Sequence, residues 1–183
     1  MICHRIVNSI FNSCTYILHY NGAKEAIIID CGDVRPILDY LSNKKLILSA
    51  IFITHSHFDH IYGLLDLTKL FPSTVVYTSV KGIVGLKNPK YNISHYHPST
   101  SDFIFESENV HILSDGCVIN VAELMIKIIA TEGHDWSCLS YLIDNLLFTG
   151  DSYIPGVKVV ANWPKSNKKQ ANDSLLILQK LES

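Results

Sequence analysis

The stretch that most narrows what this chain can become is residues 46–54, LILSAIFIT, which runs without a break into His55-Ser56-His57-Phe58-Asp59-His60. A short, almost wholly apolar run that turns β-branched towards its end reads as an interior strand covered on both faces. Three imidazoles and a carboxylate then follow within six positions. Residues two apart on an extended chain point the same way, so His55 and His57 project together. The turn into the next segment presents Asp59 and His60 from the far side. Imidazole and carboxylate suit zinc, iron or manganese, with zinc–ligand distances of about 2.0–2.2 Å. Scattered surface histidines do not account for such density at one strand-to-helix junction.

A strand covered on both faces needs partners, and the flanking sequence supplies them. Residues 15–20 and 24–30 are strand-like and flank Asn21-Gly22, a hairpin signal. Residues 34–42 space Val34, Ile37, Leu38 and Leu41 as a helix does, with Pro36 tolerable only in its first turn. A second helix is expected over 61–71, stopped by Pro72, and a strand over 75–78. The segment 86–101 (LKNPKYNISHYHPSTS) reads as a loop. Strands return at 102–105, 110–113, 117–121 and 124–130, and 139–143 and 146–149 flank Asp144-Asn145. An amphipathic helix over 166–181, with Leu175, Leu176, Leu178 and Leu181 on one side, closes the chain. Two β-rich halves with helices outside predict an α/β (α+β) fold, a four-layer αββα sandwich of two mixed sheets. Periodicity alone leaves an ordinary mixed α/β sheet open.

Bulk properties exclude several classes. The 183 residues suit one domain with a real core; apolar residues make up 48% and charged residues 17%. A net charge of -2 argues against a nucleic-acid partner, and Lys165, Lys168 and Lys169 read as a solvated surface. No apolar stretch approaches the length of a membrane span, and no signal peptide is visible. The five cysteines are odd in number and never spaced C-x-x-C, which reads as reduced thiols in a cytoplasmic protein.

One segment rarely completes a metal site. Two further donors follow strands: His134 in Glu132-Gly133-His134-Asp135, and Asp151 in Phe148-Thr149-Gly150-Asp151. Each follows a glycine, which lets the backbone pass close to an ion. Asp30 is either a group orienting a ligand histidine or a strand-end turn residue. Ser152 and Tyr153 either touch substrate or begin a loop. Cys31 reads as a buried thiol. His4, His19 and His111 lie in strand-like segments, and His95 and His97 in the loop.

His55-x-His57-x-Asp59-His60, Gly133-His134 and Thr149-Gly150-Asp151, with Ile29-Asp30-Cys31-Gly32, resemble the metallo-β-lactamase-fold hydrolase superfamily over nearly the whole chain, most closely its glyoxalase II-like branch. The resemblance implies one metal position held by His55, His57 and His134 and a second using Asp59 and His60. Asp151 would bridge them, with a hydroxide nucleophile oriented or deprotonated by Asp59. It implies a single domain, 1–183, lacking the C-terminal segment that carries the family's final ligand histidine, either by nature or through truncation, since no histidine follows His134. A second departure is Asp135-Trp136-Ser137 where the family commonly has Thr-x-Gly; Trp136 either shapes the pocket or packs.

The expected activity is zinc-dependent hydrolysis, with one or two ions, of a small thioester, ester, lactone or amide by a monomer or homodimer. The alternatives are a phosphodiesterase or RNA-processing hydrolase, a mononuclear iron enzyme of sulfur or oxygen chemistry, and a non-catalytic metal-binding protein. Specificity is expected in 86–101, around Trp136 and over 153–163.

Overall fold

The structure, a computed structural model, describes residues 1–98 and 100–182. Ser99, in the expected 86–101 loop, and Ser183, at the end of the expected domain, lie outside the described residues. The strands are β1 (Ile2–Val7), β2 (Cys14–His19), β3 (Glu25–Ile29), β4 (Ile47–Phe52), β5 (Val75–Thr78), β6 (Val110–Ile112), β7 (Val118–Val121), β8 (Leu124–Ala130), β9 (Leu139–Ile143) and β10 (Leu146–Phe148). The helices are α1 (Val34–Lys44), α2 (Leu64–Leu70), α3 (Val80–Leu86) and α4 (Lys168–Glu182). None of the described helices is long and apolar enough to cross a membrane.

The strands form two sheets, β1-β2-β3-β4-β5-β6 and β10-β9-β8-β7. The first is mixed, antiparallel through β1–β3 and parallel from β3 to β6; the second is antiparallel. Strand β4 is interior, as its unbroken apolar run requires. Ile51 and Ile53 face α1 and α2, where Ile37, Leu41, Leu64 and Leu67 pack. Ala50 and Phe52 face the second sheet, meeting Ile126, Ile128, Leu139 and Tyr141. Strand β8 alternates correspondingly: Leu124, Ile126 and Ile128 are buried, Met125 and Lys127 exposed. The two sheets are also tied at one edge, where Leu139 N–H donates to Thr54 O at 2.7 Å and Tyr141 Oη donates to Ile53 O at 2.7 Å. These bonds register the histidine segment against the second sheet.

The expected hairpin turns form at Asn21-Gly22 and Asp144-Asn145, and another joins β7 to β8 at Ala122-Glu123, with positive φ at Gly22, Ala122, Glu123 and Asp144. Three expectations are corrected. Residues 102–105 form no strand, because Phe103 and Phe105 are core anchors whose backbone is satisfied elsewhere. Phe105 N–H donates to Leu86 O, and Phe103 bonds to Ser94 and Asn92 side chains. The helix expected from Ile61 begins at Leu64, because Phe58–His60 form a 3₁₀ turn and Gly63 N–H is held by Cys31 O at 3.0 Å. In α4 the buried side is Ala171, Ser174 and Leu178, while Leu176 and Leu181 are exposed. The helix docks through small residues on the 131–134 turn, Ser174 Oγ donating to Glu132 O at 2.7 Å. Helix α3 carries no signal in the sequence: Gly82 and Gly85 lower its propensity, and it stands on its Ser79 cap, whose Oγ accepts Gly82 N–H.

Candidate metal centre

Three chain segments bring the six predicted donors to one place. The segment that follows β4 carries His55 and His57, and the 3₁₀ turn folds Asp59 and His60 back beside them. The turn after β8 adds His134, and a second 3₁₀ turn after β10 adds Asp151. The four histidines and Asp59 are buried, and Asp151 is partly open. The donor atoms of His55, His57 and His134 lie within 4.8 Å of one another, as do those of His55, His60 and Asp151. Asp151 faces both groups: Oδ1 is 3.3 Å from His60 Nε2 and Oδ2 is 3.5 Å from His134 Nε2. Asp59 Oδ2 is 3.3 Å from His60 Nε2.

Outer partners decide which ring nitrogen faces inward. Asp30 is buried at φ +55, and its carboxylate accepts Thr54 N–H at 2.7 Å, the Thr54 hydroxyl at 2.7 Å and His60 Nδ1–H at 2.8 Å. The Thr54 oxygen in turn lies 3.1 Å from His55 Nδ1. His134 Nδ1 donates to Val160 O at 2.7 Å. In each case Nδ1 carries a proton, which leaves Nε2 of His55, His60 and His134 as the ring atom that faces inward. Of the two open readings of Asp30, the geometry matches the orienting one, although its φ also makes it the turn residue.

Burial, reinforced by the neighbouring imidazoles, holds His55 and His57 well below the usual histidine range. Burial also opposes charge on His60, but Asp59 and Asp30 outweigh it and raise its pKa well above normal. Burial pushes Asp151 up, yet His60, His134 and His57 hold it well below the carboxylate range. Burial raises Asp59 despite His60 beside it. The cluster gathers lone pairs and negative charge that a divalent cation satisfies. The buried Nε2 atoms of His55 and His60 have no hydrogen-bond partner among the described residues, so the donor set fits such an ion.

The glycines before the donors act differently from the expectation. At φ +49, Gly150 lies so close to Thr54 Oγ1 that a Cβ would overlap it, and at φ +138 Gly133 lies equally close to the backbone of Ala171 in α4. They admit Thr54 and a helix rather than an ion.

His57, Asp59, His60, His134 and Asp151 open onto a cavity of about 540 Å³ whose wall includes Arg5, Phe11, Tyr16, Tyr153, Val160 and Trp163. The 153–163 segment therefore lines it as expected. The 86–101 loop contributes Ile93, while Tyr96 and His97 line an adjoining apolar cleft. Trp136 packs instead, edge-on to Tyr91 at 5.7 Å with Lys165 over its ring at 4.5 Å. Ser152 is a structural tie, its Oγ donating to Thr131 O at 2.9 Å. Cys31 is buried, and burial raises its thiol well above normal. Among the other histidines, His4 stacks on Tyr40, His19 bonds Tyr40 Oη, His95 pairs with Asp102 and His111 packs on Tyr77. Arg5 and Phe11 were not singled out from the sequence; they sit on and just after an edge strand with no motif around them.

Two sheets face to face, with imidazoles and carboxylates gathered at one edge, define a metal-site αββα protein. The chain belongs to the metallo-beta-lactamase superfamily, whose sequence profile matches residues 10–183. Among curated relatives, the hydroxyacylglutathione hydrolase of Pseudoalteromonas translucida (strain TAC 125) is 30% identical over 156 residues, 85% of this chain and 52% of that protein. The chain thus spans about half the length of the curated relatives it matches. The fold is shared with the BLEG-1 B3 metallo-beta-lactamase, at TM-score 0.86 and 24% identity over 94% of this chain and 83% of that one. It is shared also with TTHA1623, solved in a di-iron-bound form, at TM-score 0.81 and 19% identity over 97% and 86%.

Proposed function

We propose that this chain is a metal-dependent hydrolase acting on a small thioester, ester, lactone or amide, with zinc, in one or two ions, as the metal and iron or manganese as the other ions its donors suit. The observation that carries this is the convergence of two donor groups, His55/His57/His134 and His55/His60/Asp151, all but the buried His55 lining a cavity of about 540 Å³. A divalent ion there brings the pKa of a bound water to about 7 and polarises a carbonyl oxygen.

In this reading His55, His57 and His134 hold the first position. Asp59 and His60 serve the second, and Asp151, with one oxygen toward each group, serves both. Asp59, buried and with its carboxyl raised, orients the attacking water and takes its proton. Asp30 and Thr54 fix the rings from behind. Phe11 and Trp163 flank the cavity and limit water around the reacting carbonyl. The name of the hydroxyacylglutathione hydrolases supports a thioester first among the substrates. The near-neutral charge supports a small molecule over a nucleic acid, and the unpaired cysteines support a cytoplasmic setting.

Elemental analysis of protein purified without added metal tests the ion: about one iron per chain with no zinc would refute the zinc reading. A panel of thioesters, lactones and phosphodiesters tests the chemistry. Hydrolysis that survives both His57→Ala and His134→Ala would place the reaction elsewhere.

A further inference from the structure

We propose that Asp135 is a positioning residue for His57, holding it in the tautomer that leaves Nδ1 bare for a metal; this rests on the metal-site reading above. Asp135 is fully buried. Its Oδ1 accepts Ser137 N–H at 2.9 Å and also the Ser137 hydroxyl. Ser137 Oγ accepts Ser56 N–H at 3.1 Å, so the carboxylate is clasped to the backbone between His55 and His57.

The other oxygen, Oδ2, has no hydrogen-bond partner among the described residues. It lies 3.7 Å from His57 Nε2, a buried atom that also has none. A small closure satisfies both atoms, provided that Nε2 carries the proton. On the opposite side of the ring, His57 Nδ1 lies 3.0 Å from His134 Nε2. That atom is bare, because His134 Nδ1 donates to Val160 O.

His57 therefore has two arrangements. With the proton on Nδ1, it bonds His134, and the pair is content without a cation. With the proton on Nε2, it bonds Asp135, and two lone pairs face each other 3.0 Å apart, an arrangement that a cation between them relieves. Asp135 selects the second arrangement. It thereby blocks the histidine–histidine bond that would close the site. This is the carboxylate–histidine relay that orients metal ligands generally, built here from the residue next to a ligand in sequence and clamped by Ser137.

The test uses the full chain, stripped of metal, with the His57 tautomer read from long-range ¹H–¹⁵N imidazole couplings and zinc affinity read by chelator competition. The wild type is expected to show His57 protonated at Nε2. In Asp135→Asn, the amide oxygen keeps the two Ser137 bonds and turns its NH₂ toward Nε2, so the proton is expected on Nδ1 and zinc affinity is expected to fall about 10–100-fold. A wild-type His57 protonated at Nδ1 would overturn the proposal without recourse to any variant. So would an Asp135→Asn protein with unchanged tautomer and affinity. His57→Ala separates the two readings: if it leaves zinc affinity intact, the metal site itself is misplaced, whatever Asp135 does.

Discussion

Asp30→Asn should uncouple the metal site from its support while leaving the fold in place. Asparagine is tolerated at the φ of +55 that this position adopts. Its amide oxygen can keep the Thr54 N–H bond, but its amide nitrogen then meets the Thr54 hydroxyl and His60 Nδ1, both of which donate in the native arrangement. The threonine hydroxyl must turn and donate to His55 Nδ1, 3.1 Å away, and His60 must shift its proton to Nε2. Both histidines then present N–H where a lone pair stood. Two bonds to a charged acceptor, at about 1.5–3 kcal/mol each, give way to neutral ones at about 0.5–1.5, a net loss of roughly 1–3 kcal/mol in the metal-free chain. Because one carboxylate supports two ligands, zinc affinity should fall by about 100-fold or more, against the 10–100-fold usual for one outer partner. Asp30→Ala should be far worse, leaving three buried donors unpaired at about 1–3 kcal/mol each, a large share of a total stability of about 5–15 kcal/mol. Urea unfolding of the metal-free protein and chelator competition for zinc measure the two effects separately. An Asp30→Asn protein with zinc affinity within about threefold of wild type would refute the reasoning.

Tyr141→Phe removes the bond to Ile53 O and should cost about 1–2 kcal/mol, lowering Tm by about 2–4 °C per kcal/mol; a shift under about 1 °C in a thermal scan would show that the hydroxyl does not tie the sheets. Gly150→Ala adds about 1–2 kcal/mol of left-handed strain to about 1–3 kcal/mol of overlap with Thr54, and a urea midpoint equal to wild type would contradict the close approach. Asp33 supplies the acid dependence outside the site. Burial raises its pKa, but bonds from the Tyr62 and Ser9 hydroxyls and Ser9 N–H bring it below the ordinary 3.8. A depressed folded pKa means that its contribution is whole above the unfolded value of about 3.9 and is lost as pH falls through the folded one. Asp33→Asn should therefore flatten the acid end of a stability–pH curve, and urea midpoints that still fall as steeply below about pH 4 would sink the assignment.

Local chemistry made part of this protein legible from its sequence. The run 46–54 announces an interior strand because it is too short for a buried helix and turns β-branched towards its end, and β4 is covered on both faces. Asn21-Gly22 and Asp144-Asn145 announce hairpins because their backbones accept positive φ. Strand-end placement after three separate strands pointed to His55–His60, His134 and Asp151 before any geometry was known, because side chains at strand ends share one edge of a sandwich. The misses have an equally local cause. Helix α3 holds two glycines and is stabilised by a cap and by the 137 turn, through Ser79 Oγ bonding Ser137 O at 3.0 Å. Phe103 and Phe105 alternate as in a strand, but anchor a coil.

What only the tertiary structure decided is the second tier of the site. Asp30, Thr54, Asp135, Ser137 and the carbonyl of Val160 lie on four chain segments, and no spacing in the sequence relates them. The packing of the two sheets brings them behind the histidines. A ligand's identity is a property of its side chain and can be read one residue at a time. Which of its ring nitrogens carries the proton is a property of what stands behind it, and that is settled only when the fold closes.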